Sequence, residues 1–462
     1  MSTDALSAVL DHIDRDLDNS LERLFALLRI PSISTDSAYK EHCRAAAEHI
    51  AKDLGSMGFE AKTRPTKGHP VVVGKGGNGK GPSVLFYGHY DVQPVDPLDL
   101  WTSPPFEPRI DTLPDGRKVI VARGACDDKG QVMTFLEACR AFVKVTGKLP
   151  LSITTMIEGE EECGSNNLYP FVKENAAEFR RDLALVCDTG MWDTSTPAIT
   201  TSLRGMVYDE VKLTCADRDL HSGLFGGAAL NPIRVLTHIL GQLHDADGRV
   251  TLPGFYDGVK DLPPEIKAEL AALNLTAESF LGGVGLKTPA GEKGRMLIEQ
   301  ISTRPTCDIN GIVGGYTGEG AKTVIPSHAA AKISFRLVAG QDPGKIRDSF
   351  RNFVKSQAPA DCRVEFINHV HSPAISVPFD NPALAKARAA LAAEWGKKAV
   401  TIGSGGSIPI VNDFKNVLGM DSILVGFGLD DDRVHSPNEK YDLTSFHKGI
   451  RSWARILAEL SA

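Results

Sequence analysis

The sequence predicts an α/β protein whose mostly parallel, helix-flanked sheet is interrupted by an inserted α+β domain. Three observations carry that reading. Short apolar runs alternate with helical spacing between residues 71 and 186. Apolar–polar alternation replaces them from about residue 203, and the first pattern resumes after a Pro-bearing connector near residue 380.

Residues 1–29 place Asp11, Asp14, Asp16 and Asp18 among spaced apolar positions, which predicts one amphipathic helix and not a signal peptide. The runs 71–73, 83–87, 152–157 and 183–186 read as buried strands, and 131–145 between two of them as a helix. Ligands of such sheets gather beyond the carboxyl ends of the strands. In the insert, 207–214 and 330–338 alternate as half-exposed antiparallel strands do, 231–243 and 343–355 have helical spacing, and 252–326 is rich in Gly and Pro. Beyond it, 383–395 is a helix with Pro382 near its start, and 422–426 another buried strand. The predicted domains are 1–202 with 380–462, and an inserted 203–379.

A chain of 462 residues exceeds one ordinary core, which agrees with two domains. Its net charge of -7 argues against nucleic acid as a partner, because phosphate binding wants a basic face. No apolar run approaches the roughly 20 residues of a membrane span. The 8 cysteines lack CxxC spacing, so reduced thiols and a cytoplasmic location are expected.

Five polar clusters follow predicted strands. His89-Tyr90-Asp91 pairs an imidazole with a carboxylate two residues on, an arrangement that fixes a metal-binding tautomer, although His-x-Asp is also common in solvated turns. Asp127-Asp128 precedes a helix and reads equally as an acidic N-cap. Glu158-Gly-Glu160-Glu161-Glu162 crowds carboxylates that repel unless a cation lies among them. Asp188 and His435 complete the set. Oxygen and imidazole donors without thiolate suggest zinc, manganese or cobalt in an open catalytic site. Three carboxylates and two neutral imidazoles nearly balance two divalent ions.

The segments GHYDVQPVDPLDLWTSPPFEP, DDKG, EGEEECGS, HSGLFGG, NGIVGGYTGEGAKTVIP, GGSIPI and VHSPNEK, in this order, resemble the metallopeptidase family of carnosinases, cytosolic non-specific dipeptidases, aminoacylases and succinyl-diaminopimelate desuccinylases. The resemblance covers nearly the whole chain, with the dipeptidase branch nearest. It implies that Asp127 bridges two metal ions, with His89 and Asp188 on one and Glu162 and His435 on the other. It further implies that Asp91 orients His89, that Glu161 is the general base and that the Asp127–Asp128 peptide is cis. In the insert, which would serve as lid and dimerisation domain, it makes His221 the oxyanion-stabilising residue. Arg336 would bind the substrate's terminal carboxylate, with Thr323, Ser407 and His371 around it. Gly405 and Gly406 before Ser407 would let backbone N–H groups approach the substrate. A dimeric dipeptidase is the expected function. An N-acyl-amino-acid (acetyl or succinyl) deacylase on the same scaffold remains the alternative, and a silent metal-binding scaffold or a two-metal phosphoesterase stands further off. Cys126 and Cys163 depart from the family's Thr and Ser; they are expected to be small buried fillers, the sharper alternative being oxidant-sensitive thiols near the metals.

Overall fold

The structure is a computed structural model and describes residues 3–77, 82–404 and 408–462. The chain divides into two compact units, one of Met1–Thr201, Val377–Ile402 and Pro409–Ala462, the other of Ser202–Ser376 and Gly403–Ile408. Ser407, Gly405 and Gly406 lie outside the described residues.

The first unit is built on a sheet with strands in the order Glu60–Arg64, Val71–Gly76, Ser152–Glu158, Ser83–His89, Leu183–Val186, Ser422–Leu424 and Ala198–Leu203. The four strands from Ser152–Glu158 to Ser422–Leu424 are mutually parallel, and the flanking ones antiparallel. Buried on both faces, the parallel strands are mainly apolar runs, Ser152–Glu158 with the buried Thr154 and Thr155 among them, which is why the sequence exposed them. Helices Lys129–Thr146 and Leu443–Leu460 pack together, and Phe86 stacks on Phe135 at 3.7 Å between ring centroids with Trp453 edge-on to both. Gly147, left-handed at φ 73°, closes the first of these helices.

A separate three-stranded sheet joins Arg109–Thr112, Lys118–Val121 and Lys440–Asp442. It corrects the expectation that all five polar clusters rise from one sheet. His89, the Glu161–Glu162 pair and Asp188 follow neighbouring parallel strands; Asp127 and His435 sit on loops leading from and into the small sheet. The N-terminal segment is also two helices, Thr3–Arg15 and Leu17–Leu28, not one. Asp16 at the break accepts hydrogen bonds from Asn19 and Arg23, the local side-chain bonding that competes with a helix interior.

The second unit holds a four-stranded antiparallel sheet in the order Thr306–Gly314, His328–Leu337, Gly205–Thr214, Arg363–Ser372. Helices Pro232–Leu240 and Pro343–Gln357 each begin with proline behind a capping Asn231 or Asp342. Residues 205–214 alternate buried and half-buried, so one face meets a core of Val207, Val211, Phe335 and Phe350. Asp209 also points inward, where Arg351 meets its two oxygens at 2.7 and 2.8 Å. Among the described residues no helix is long and apolar enough to cross a membrane.

Candidate metal centre

Two glycines let the acidic motifs turn where they do. A Cβ on Gly159 would strike the Tyr90 ring, and one on Gly130 would strike the Ala125 carbonyl. Only bare backbone fits at either place, so the chain after Glu158 and the first turn after Asp127–Asp128 are held close to the strand ends. The Asp127–Asp128 peptide is cis.

His89 is fully buried at the end of its strand. Its Nδ1 lies 3.1 Å from the main-chain oxygen of Asp91 and 3.4 Å from that residue's Oδ1. Its Nε2 faces the other way, 3.1 Å from Asp127 Oδ1 and 3.9 Å from Asp188 Oδ2. The second oxygen of Asp127 stands 3.0 Å from His435 Nε2, and Glu162 Oε2 is 3.2 Å from the same nitrogen. Asp127 thus belongs to two groups, His89–Asp127–Asp188 and Asp127–Glu162–His435, each with its donor atoms within 4.8 Å of one another.

The donor set fits two divalent ions. Ligands about 2.0–2.1 Å from a tetrahedral ion stand about 3.3 Å apart along its edges, close to the separations found. Electrostatics agrees. The hydrogen-bonded carboxylates of Asp127 and then Glu162 lift His435 to about 10. Burial works against a charged His89, but Asp127 and Asp91 outweigh it and hold that imidazole well above its usual range. Burial, reinforced by Asp127 and Asp128, pushes Asp188 well above the ordinary carboxylate range. The crowded carboxylates thus draw positive charge to the centre. A third acidic group, Asp431–Asp432–Asp442, needs no ion: Lys440 Nζ already lies among the three, 2.8 Å from Asp431 and 3.1 Å from Asp442.

The four glutamates of the acidic run have separate surroundings. Glu158 accepts the Tyr87 hydroxyl at 2.6 Å and the Ser165 hydroxyl at 3.1 Å, and Glu160 is held by the Asn167 amide. Glu162 turns to His435, with Gln93 Nε2 donating to it at 2.8 Å. Glu161 is half-buried, and among the described residues its carboxylate has no hydrogen-bond partner. Burial raises its pKa, with Glu162, Asp127 and Asp91 adding to the rise against the opposing pull of His89.

Asp91 does more than was read from its spacing. Its Oδ1 accepts the Glu161 N–H at 3.3 Å and its Oδ2 the Glu162 N–H at 3.0 Å. Asp128 stands at the N-cap position of the helix Lys129–Thr146, but its side chain does not cap it: the carboxylate accepts the His89 N–H at 3.0 Å and the Cys187 thiol. Sequence reasoning missed Gln93 and Glu439, although both stand within quoted motifs. Cys126 is buried and bonded to Asp432, whereas Cys163 is half-buried; burial raises both thiols, Cys163 to about 11. All eight cysteines are free.

The remaining predicted residues lie in the second unit. His221 ends the short strand Leu220–His221, paired to Val324 beside Thr323, and its Nδ1 accepts the Gly223 N–H at 3.0 Å. Thr323 offers its carbonyl to Ser222 at 3.1 Å. Arg336 pairs with Met206 in the four-stranded sheet, and His371 pairs with Val207 in the neighbouring row.

Carboxylate and imidazole donors from the ends of the parallel strands and from the loops of the small sheet converge on one centre, the donor set of a metal-dependent hydrolase. Peptidase family M20/M25/M40 matches residues 85–459, and the chain belongs to that family. It is 31% identical to a Cys-Gly metallodipeptidase of Candida albicans, over 97% of this chain and 96% of the relative. It is 30% identical to the Beta-Ala-His dipeptidase of Homo sapiens, over 94% and 85% of the two chains. The solved structure of an M20 family metallo-carboxypeptidase from Sulfolobus solfataricus superposes with a TM-score of 0.80 at 29% identity, covering 96% of this chain and 99% of the other.

Proposed function

We propose that the protein is a two-metal dipeptidase that hydrolyses the amide bond of dipeptides or similarly small peptides. The observation that carries this is the single carboxylate of Asp127 shared by two ligand groups, with the half-buried Glu161 beside them. His89, Asp127 and Asp188 would hold one ion, and Asp127, Glu162 and His435 the other. Zinc is the first expectation, and manganese or cobalt suits the same donors. Two such ions polarise a scissile carbonyl and acidify water.

The protein's own groups do the rest. Glu161 takes a proton from the attacking water and delivers it to the leaving amine; a carboxylate raised by burial suits both halves of that transfer. Asp91 fixes the backbone of Glu161 and Glu162, and so the direction of the base. An imidazole whose Nδ1 accepts a backbone N–H carries its proton on Nε2 when neutral, which makes His221 a hydrogen-bond donor suited to a developing oxyanion. Arg336 offers a planar fork to the peptide's terminal carboxylate, with Thr323, Ser407 and His371 as further contacts. Residues 203–379 would act as lid and as the surface of a homodimer. Free cysteines are in keeping with a cytoplasmic location.

The test is a panel of dipeptides against N-acetyl and N-succinyl amino acids, using metal-free protein reconstituted with zinc, manganese or cobalt. Dipeptides are expected to be the better substrates. A clear preference for acylated amino acids overturns the proposal in favour of a deacylase.

A further inference from the structure

Glu439 stands four residues after His435 and is completely buried. Its Oε1 accepts the backbone N–H groups of Cys126 at 2.9 Å and Asp127 at 3.0 Å. Its Oε2 accepts the Gly124 N–H at 2.9 Å and Arg123 Nη1 at 2.8 Å, while Arg123 Nη2 donates to the Pro94 carbonyl at 3.0 Å. One carboxylate therefore gathers four donors from the loop that ends in Asp127, and it does so from the segment that bears His435. The ladder continues the tie, since the Ala122 N–H donates to the Glu439 carbonyl and Lys440 pairs with Val121.

We infer that Glu439 is a positioning residue that sets Asp127 and His435 at a common spacing. Its loss should weaken chiefly the ion held by Asp127, Glu162 and His435. This rests on the two-metal reading above. Two of that group's three ligands hang from Glu439, against one of three in the His89–Asp127–Asp188 group. Glutamine keeps the size of the side chain but replaces one acceptor oxygen with an NH2. That amide must face either Cys126 and Asp127 or Gly124 and Arg123, donor against donor. Removing a hydrogen-bond partner of metal ligands commonly costs about 10–100-fold in metal affinity.

The experiment titrates zinc into metal-free wild type and Glu439→Gln, reading stoichiometry and affinity by calorimetry. For wild type, two ions per chain are expected. For the variant, one ion should bind nearly as before and the other about 10–100-fold more weakly. Turnover of a dipeptide should fall at limiting zinc and recover with excess, KM being unchanged; a purely structural role would not give that recovery. Should Glu439→Gln fail to fold, Arg123→Lys takes its place: it keeps the charge, gives up the fork, and is expected to weaken the same ion about tenfold. Two equal, unweakened sites in the folded variant overturn the inference alone. Fewer than two ions on wild type overturn the two-metal reading, and this inference with it.

Discussion

Replacing Asp91 by Asn separates two tasks that sequence spacing merged into one. The Asp91 main-chain oxygen, 3.1 Å from His89 Nδ1, survives the substitution and keeps the ring's proton on that nitrogen. What the substitution disturbs is the carboxylate, whose Oδ1 and Oδ2 accept the N–H groups of Glu161 and Glu162. An asparagine can place its oxygen toward one of these and must turn its NH2 toward the other. One hydrogen bond to a charged acceptor is lost, and such bonds are worth about 1.5–3 kcal/mol, or about 10–100-fold. The loss falls on the turn that aims Glu161, so kcat should drop by that factor with KM little changed. Zinc affinity should fall less than in a His89→Ala protein. Steady-state kinetics at saturating zinc, paired with zinc titration of the metal-free variant, measures both. An undiminished kcat would show that Asp91 does not hold the base, and a loss confined to metal affinity would return its role to the histidine.

The other expectations can be checked on the same protein. Glu161→Gln should retain both ions and lose about 10²–10⁴-fold in kcat, read by metal content beside dipeptide turnover; retained turnover would reassign the base. Chelation should abolish activity and lower the melting temperature, since ions bound only by the folded state stabilise it by about 4 kcal/mol at 1,000 times Kd. Arg336→Ala should raise KM for dipeptides more than it lowers kcat, and Lys at that position should restore little. Lys129, fully buried and donating to the carbonyls of Leu27 and Ile30, is brought down to about 7 by burial. Between that value and the unfolded side chain's about 10.4, only the unfolded chain holds the proton, so folding gains as pH rises through this window. The stability of wild type relative to Lys129→Met, by urea denaturation, should therefore grow from pH 7 to pH 10; a flat difference contradicts the depressed pKa.

Much of this was legible from short stretches of chain. A strand buried on both faces is mostly apolar along its length, so 83–87, 152–157 and 183–186 announced themselves, and the groups just past them sat where α/β sheets collect ligands. The helix at 131–145 and the alternating strands of the insert followed from periodicity for the same reason. Periodicity reports which face is buried, but not what lies across it.

The amino-acid sequence by itself determined the α/β class, the polar clusters after the strands and the motifs that resemble a metallopeptidase family. Only the tertiary structure decided that Asp127 and His435, 308 residues apart, reach the centre from a second small sheet. It also decided that Glu158 and Glu160 are spent on Tyr87 and Asn167 while Glu161 has no such partner among the described residues, and that Glu439 ties two distant loops together. The reason is physical: burial and turn preference are written into neighbouring residues, whereas the partner of a buried carboxylate is fixed by which remote backbone folding brings within about 3 Å.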